Sequence, residues 1–136
     1  MEIVITQESL GNEPLPAGVY VVKVEKVEFV QSSQKGTPGV SLQLRVLSPE
    51  EHAGRMAFDR LWLGDDPSKV LWRWNSLYKA ATGEDLPKRS FTLDEFINLF
   101  TTPPVLGSVV LAELEVEEYE GNQRNRVRRF AKVKGE

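Results

Sequence analysis

The sequence predicts a mainly β protein with a helical insertion, arranged as a five-stranded OB-fold barrel with the helices between strands 3 and 4. Five segments show the alternation of apolar and polar residues that is typical of a strand. Between the third and the fourth of them lies a stretch with helical start and stop signals. Five strands with a helix in that position follow the order of the OB-fold.

A chain of 136 residues has the size of one domain. We divide it into an N-terminal arm or short edge strand, residues 1–14, and an OB-fold domain, residues 15–136. The absence of cysteine excludes disulfides and thiolate chemistry, and the single histidine, His52, cannot form a multi-histidine metal site. Because the formal net charge is -3, a nucleic-acid-binding function requires the basic residues to be concentrated in one place.

The start of the chain, Met1-Glu2-Ile3-Val4-Ile5, lacks a basic flank and a long apolar run. It therefore predicts neither a secretory signal nor a membrane span. We expect a cytoplasmic location and no membrane partner.

The first two predicted strands are marked by alternating apolar residues, Tyr20, Val22 and Val24 in the first and Val40, Leu42, Leu44 and Val46 in the second. In the first strand the pattern slips by one residue at Glu25 and Lys26, which predicts a β-bulge that coils the strand. The connecting segment, residues 31–38, is polar and contains Lys35-Gly36, so we expect a flexible loop.

The third predicted strand, Gly54 to Leu63, is mixed on both faces. One face would carry Ala57, Asp59, Leu61 and Leu63, and the other Met56, Phe58, Arg60 and Trp62. If the aliphatic face is the core, two aromatic rings flank an arginine on an outer surface, where unpaired bases stack. Alternatively, a second layer covers the sheet and Phe58 and Trp62 belong to the core; both interpretations stay open.

A helix from about Pro67 to Thr82 is predicted by its boundaries, since Asp66-Pro67 supplies an N-cap and a first-turn proline and Gly83 supplies a stop. One face of this helix would contain Val70, Leu71, Trp74, Leu77, Tyr78 and Ala81. Trp72 points the other way. We expect the following segment to cover Trp72, with burial against a partner or plain exposure as alternatives.

A second, shorter helix is predicted from Leu93 to about Phe100. Thr92 and Glu95 have the spacing of a capping box. Phe91 and Phe96 occupy the positions of a hydrophobic staple across the same helix start.

The last third of the chain predicts a β-hairpin with a type II′ turn at Gly121-Asn122. This register would pair Tyr119 with Arg124, Glu117 with Arg126, Val116 with Val127 and Glu115 with Arg128. The buried face would hold Val110, Ala112, Leu114, Val116, Val127, Ala131 and Val133, interrupted by Arg129. Because Arg124 would face an aromatic residue rather than a carboxylate, it is the arginine of this cluster that we expect to be most available to a ligand.

The candidate DNA-binding residues are basic or aromatic and lie on predicted outer surfaces: Lys23, Lys35, Arg45, Arg55, Phe58, Arg60, Trp62 and Arg124. The carboxylates Glu113, Glu115, Glu117, Glu118 and Asp59 could be arranged as a two-metal nuclease site. The hairpin register instead assigns Glu115 and Glu117 to arginines, and no phosphate-binding loop, nucleophile elbow or zinc motif is present. We therefore predict that the protein is not an enzyme, that it has no catalytic residue, and that it binds no metal and no cofactor.

The chain also resembles a phage-encoded family long catalogued only as a domain of unknown function. The matching residues are Leu15-Pro16-Ala17-Gly18, Tyr20, Val22, Val24, Gly39-Val40-Ser41-Leu42, Leu44, Val46, Gly54-Arg55, Phe58-Asp59, Leu61, Gly107, Tyr119, Gly121, Asn125 and Val127. Members of that family are regarded as OB-fold single-stranded DNA-binding proteins of phage replication and recombination modules. The resemblance covers roughly residues 15–130.

The resemblance implies a sequence-tolerant single-stranded DNA-binding protein in the host cytoplasm, with phage replication or recombination proteins as partners. The chain ends Arg128-Arg129-Phe130-Ala131-Lys132-Val133-Lys134-Gly135-Glu136, so we expect no recruitment of partners through an acidic tail. An alternative is a protein-interaction module without direct DNA binding, such as a recombinase loader or a phage assembly factor, with Trp72 and Phe58 as anchors. Homo-oligomerisation, the choice between DNA and RNA, and the size of the binding site stay open.

Overall fold

A computed structural model of the protein describes residues 1–3, 14–64, 66–119 and 121–133. The prediction of an N-terminal arm or edge strand falls mostly on residues 4–13, which lie outside the described residues. In chain order the strands and helices are β1 Gly18–Gln31, β2 Pro38–Ser48, β3 Met56–Trp62, α1 Leu71–Thr82, α2 Leu93–Thr101, β4 Val109–Tyr119 and β5 Asn122–Ala131. Short 3-10 turns, Glu50–His52 and Pro67–Lys69, flank β3.

The five strands form one antiparallel sheet in the order β3-β2-β1-β4-β5. The prediction of a mainly β protein is confirmed. The sheet is open, because β3 and β5 are its two edge strands and no backbone ladder joins them in the described ranges. The two helices follow β3 in the chain and precede β4.

The core is built from the predicted alternating residues of β1 and β2. Val22, Val24, Val40, Leu42, Leu44 and Val46 are all completely buried. The predicted bulge is confirmed, since the β1–β2 register shifts between Val24 and Lys26. After the bulge Val27 returns to the core, whereas Phe29 is 46% exposed near the end of the strand.

Helix α1 begins four residues later than predicted. Pro67–Lys69 forms a 3-10 turn, and Asp66 does not cap the backbone. The Asp66 carboxylate instead accepts a hydrogen bond from the Ser68 hydroxyl at 2.5 Å. The predicted end is confirmed, because Gly83 adopts φ 84, the left-handed conformation of a helix stop.

The apolar face of α1 is confirmed, with Trp74 and Leu77 completely buried. The prediction that the next segment covers Trp72 is wrong, because the Trp72 side chain is 60% exposed. Helix α2 packs on the opposite side of α1, where the ring centroids of Phe96 and Phe100 lie 5.2 Å and 5.0 Å from that of Trp74.

The start of α2 is confirmed in detail. The Thr92 hydroxyl accepts from the Glu95 amide at 3.1 Å, and the Glu95 carboxylate accepts from the Thr92 amide at 3.0 Å. The hydrogen bond from the Thr92 backbone is the main cause that lowers the pKa of Glu95. Phe91 and Phe96 meet with ring centroids 6.0 Å apart, as a staple requires.

The predicted register of the β4–β5 hairpin is wrong by two residues. Tyr119 pairs with Asn122, Glu117 with Arg124 and Glu115 with Arg126. Gly121, with φ 80, is therefore the second central residue of the turn rather than the first. A shift of two residues leaves every side chain on the same face of its strand, so the alternation of apolar residues could not reveal it.

A second correction concerns the buried face of β5. The β4–β5 ladder passes from Leu114 opposite Val127 to Glu113 opposite Arg129, so Arg128 is skipped as a bulge. The phase of β5 changes at this point. Phe130, at 7% exposure, is consequently buried in place of the predicted Ala131, which is exposed. Two further residues assigned to the buried face are not fully buried: Val133 is half-buried, and Val116 is 38% exposed.

Candidate nucleic-acid interface

An open groove of about 930 Å³ lies between the facing edges of β3 and β5. Its walls come mainly from β3 and from residues 123–126 of β5, with Arg73 of α1 and Glu117 of β4. Five of the eight residues that the sequence predicted for DNA binding line this groove: Arg55, Phe58, Arg60, Trp62 and Arg124. The groove thus joins residues from the third and the fifth strand, which are far apart in the chain.

Side chains, rather than a backbone ladder, connect the two edge strands at the groove. Asp59 Oδ2 accepts hydrogen bonds from Arg73 Nη2 at 3.1 Å and from the Val127 amide at 2.9 Å. Arg73 Nη2 also donates to the Val127 carbonyl at 3.1 Å. We call these three residues the Asp59–Arg73–Val127 bridge. The bridge explains why a carboxylate, Asp59, lies on the otherwise aliphatic face of β3.

The bridge also bears on the two-metal nuclease hypothesis. Asp59 is committed to a guanidinium and a backbone amide, and Glu117 is paired with arginines. Across the described ranges, no group of three or more His, Cys, Asp or Glu side chains is arranged to hold a metal ion. In this structure the groove carboxylates Asp59 and Glu117 are therefore paired with arginine side chains of the protein itself.

Both aromatic residues of β3 face away from the core. Phe58 is 57% exposed and Trp62 is half-buried, so the interpretation that assigned these rings to the core is wrong. Trp62 lies opposite Gly39 of β2. A Cβ atom on Gly39 would lie 2.7 Å from Trp62 Cε3 and 2.3 Å from the Leu61 carbonyl oxygen. The glycine therefore allows the indole to rest directly on the sheet, as aromatic residues do over strand glycines.

Positive charge is concentrated in the groove. The ionisable residues that line it are the five arginines Arg55, Arg60, Arg73, Arg124 and Arg126, and the two carboxylates Asp59 and Glu117. The whole protein has a formal net charge of -3. The groove consequently has the opposite sign to the molecule, which is the distribution that binding of a polyanion requires.

The prediction that Arg124 is available because it faces an aromatic residue is wrong. In the observed register Arg124 Nε lies 2.8 Å from Glu117 Oε1, and Arg126 Nη1 lies 3.7 Å from Glu117 Oε2. Both arginine side chains remain about half exposed to the groove. Arg60 is exposed and, among the described residues, forms no ion pair.

Three predicted binding residues do not line the groove. Arg45 Nε lies 2.8 Å from Glu25 Oε1, and Lys23 Nζ lies 4.0 Å from the other oxygen of the same carboxylate. The hydrogen bond from Arg45 is the main cause that lowers the pKa of Glu25. Lys35 lies in the loop between β1 and β2, where its amide donates to the Ser32 hydroxyl at 3.4 Å.

Sequence reasoning missed Arg73, Arg126 and Asn125 as part of the groove. Asn125 accepts from the Leu15 amide and donates to the Leu15 carbonyl, both at 2.8 Å, and so fixes the rim next to Pro14. Leu15 is 1% exposed and anchors this segment in the core. The hairpin pattern did place Arg126 near Glu117. No local pattern marks Arg73 or Asn125, because each contributes through a contact with a distant part of the chain.

The fold and the groove together define a small antiparallel β protein with an aromatic, arginine-rich groove at the open side of its sheet. Residues 3–136 match the family described as "Protein of unknown function (DUF669)", and the chain therefore belongs to this family. No curated protein matches the chain. Within the described residues, neither helix is long and apolar enough to cross a membrane.

Proposed function

We propose that this protein binds single-stranded DNA in the groove between β3 and β5, with little preference for sequence. The observation that supports this function is the presence of the exposed Phe58 ring, the half-buried Trp62 ring and five arginines in one open groove. Bases stack on aromatic and guanidinium planes at about 1–3 kcal/mol per base. Such stacking needs unpaired bases, which a duplex does not present.

We also propose that the sheet is a partly open OB-fold barrel. The strand order β3-β2-β1-β4-β5 becomes a ring if β3 and β5 are joined, and the Asp59–Arg73–Val127 bridge connects those two strands. OB-folds bind oligonucleotides across their second and third strands. Phe58, Arg60 and Trp62 all lie on the third strand.

The biological setting is part of the same proposal. The resemblance to phage-encoded OB-fold proteins supports a role in phage DNA replication or recombination, in the cytoplasm of the host. Proteins of those modules would then be its partners, and no cofactor or catalytic step is involved.

Fluorescence anisotropy with a labelled thymidine oligonucleotide and with a duplex of the same length tests the function. We expect the single strand to bind more tightly, and Trp62→Ala to weaken binding by about 1–3 kcal/mol. Phe29→Ala is the matched control, because Phe29 is also exposed but lies outside the groove. Equal affinity for the duplex, or no binding of either at low salt, would contradict the proposal.

A protein-interaction module is the second candidate, and the exposure of two large aromatic side chains favours it. Phe58 is 57% exposed and Trp72 is 60% exposed. Exposed aromatic residues are frequent anchors of protein interfaces. This candidate replaces the first one if neither oligonucleotide binds.

A further inference from the structure

Trp72 marks a second surface next to the groove, on the other side of Arg73. Its indole is 60% exposed on α1, and it borders a shallow depression between α1 and β5 that Arg128 and Arg129 also line. None of the described residues that line this depression is acidic. An exposed indole beside guanidinium groups offers a stacking plane and a partner for phosphate in one place.

The depression adjoins the groove. Arg73 lines both of them, and its guanidinium is held in place by Asp59 and by the Val127 carbonyl. A strand that leaves the groove at this point passes over Arg73 before it reaches Trp72.

The surface that carries Trp72 is firmly attached to the sheet. The Ser76 hydroxyl donates to the Phe130 carbonyl at 3.0 Å and accepts from the Phe130 amide at 2.9 Å. Together with the bond from Arg73 to Val127, these contacts attach α1 to β5 on both sides of Arg128. Arg128 is the bulge residue of β5 and forms no ion pair among the described residues. The exposure of Trp72 is thus a feature of a fixed helix.

We propose that a single DNA strand bound in the groove continues over Arg73 onto α1, where a base stacks on Trp72 and Arg128 contacts a phosphate. This inference rests on the proposed function. An apolar protein partner fits the surface less well, because it would bury the Arg128 guanidinium, which, unlike those of Arg73 and Arg129, has no carboxylate partner among the described residues. A nucleic-acid strand supplies both the flat base and the anionic phosphate.

A series of thymidine oligonucleotides from about 4 to about 20 nucleotides tests the extension, since OB-folds bind roughly 4–16 nucleotides. For the shortest oligonucleotides that bind, we expect Trp72→Ala to match the unchanged protein. For the longest, we expect Trp72→Ala to bind about 5- to 150-fold more weakly, the range for one lost stacking contact. Trp62→Ala should weaken binding at every length.

The variant Arg128→Gln tests the contribution of the positive charge of Arg128. Its control is Arg89→Gln, because Arg89 is also exposed and lies outside both the groove and the depression. We expect Arg128→Gln to weaken the binding of only the longer oligonucleotides, and Arg89→Gln to weaken the binding of none. An equal effect of both variants would overturn the inference, since it would show that overall charge is responsible.

Fluorescence gives an independent measurement. In a Trp62→Phe variant, Trp72 is the exposed tryptophan and Trp74 is completely buried. We expect long oligonucleotides to quench the emission of Trp72 and short ones to leave it unchanged.

If Trp62→Ala weakens binding while Trp72→Ala has no effect at any length, the extension is wrong and the groove proposal stands. If no oligonucleotide binds the unchanged protein, both are wrong.

Discussion

The three tryptophans differ in exposure, and this difference assigns them different roles. Trp74 is completely buried between α1 and α2, and its Nε1 donates to the Trp62 carbonyl at 3.1 Å. Trp62 rests on Gly39 with one side open to the groove. Trp72 is exposed on α1. Stability is therefore expected to depend on Trp74, and ligand binding on the other two.

Substitution of Trp74 and of Trp62 should have opposite effects. We expect Trp74→Ala to lower the free energy of unfolding by about 3–5 kcal/mol, because it opens a large cavity among Phe96 and Phe100. Trp62→Ala should leave the melting temperature nearly unchanged and weaken single-strand binding. Thermal melting measures the stability of both variants, and fluorescence anisotropy measures their affinity for single strands. Unfolding of the Trp62→Ala protein would show that the indole is a core residue.

The β4–β5 hairpin places a carboxylate among the arginines of the groove. Glu117 contacts both Arg124 and Arg126, and its side chain is 28% exposed. Glu113 pairs with Arg129 at 2.8 Å and is also 28% exposed, but it does not line the groove. The two glutamates are consequently a matched pair for testing the electrostatics of the groove.

We expect Glu117→Gln to tighten binding of a short oligonucleotide by about two- to five-fold, because the groove loses a negative charge that competes with phosphate. Glu113→Gln should leave the affinity unchanged. Fluorescence anisotropy at low salt measures the affinity of both variants. Weaker binding by Glu117→Gln would instead mean that this carboxylate holds Arg124 and Arg126 in the orientation that contacts the ligand.

The edge strands β3 and β5 depend on side chains for their connection. Asp59 and Arg73 have side chains only 14% and 17% exposed, and their bond at 3.1 Å is therefore shielded from solvent. The exposed pair of Lys26 and Glu28 has a similar short contact in solvent. Shielded pairs leave an unsatisfied charge when one partner is removed, whereas exposed pairs do not.

We expect Asp59→Ala and Arg73→Ala each to lower the free energy of unfolding by about 2–4 kcal/mol. The double variant should lose clearly less than the sum, because the second substitution removes the group that the first one left without its partner. Urea unfolding of the four proteins of this cycle measures the coupling, and Glu28→Ala should change little. Strictly additive losses would show that Asp59 and Arg73 stabilise the protein independently of each other.

Over the whole molecule, charge is unevenly distributed. The net charge is -3, while the groove has three more arginines than carboxylates. Long-range attraction is therefore weak, and affinity should come from local phosphate contacts at the groove. Each neutralised phosphate on a single strand contributes about 0.7 to the slope of log affinity against log salt.

We expect Arg60→Gln to reduce that slope by about 0.7, because Arg60 lines the groove and has no ion-pair partner among the described residues. Lys26→Gln removes the same charge on β1, outside the groove, and should leave the slope unchanged. Anisotropy titrations at several salt concentrations measure the slope. Equal reductions in both variants would assign the salt dependence to the net charge.

Local patterns in the sequence were sufficient for several elements. The alternation in β2 predicted its buried residues, and the bulge after Val24 was visible as a slip of the pattern. The capping box at Thr92 predicted the start of α2. These features depend on neighbours within a few residues, so the physical cause is contained in the segment itself. The same alternation showed that Phe58 and Trp62 share one face of β3, but it left open whether that face is the core, and the structure decided that it is the outer one.

Other features were decided by the tertiary structure. The hairpin register could not be predicted, because a shift of two residues preserves both faces of each strand. The periodicity of α1 showed that Trp72 points away from the core, but only the position of α2, which packs on the opposite side of α1, determined that Trp72 stays 60% exposed.

The groove itself depends on contacts across the chain. Asp59, Arg73 and Val127 come from three separate elements and meet only because β3 and β5 face each other without a ladder. Lys23 and Arg45 looked equivalent to the groove arginines in the sequence, yet they meet at Glu25 instead. A periodic pattern identifies the face of an element, whereas long-range packing determines which faces meet, and a binding site is formed where they do.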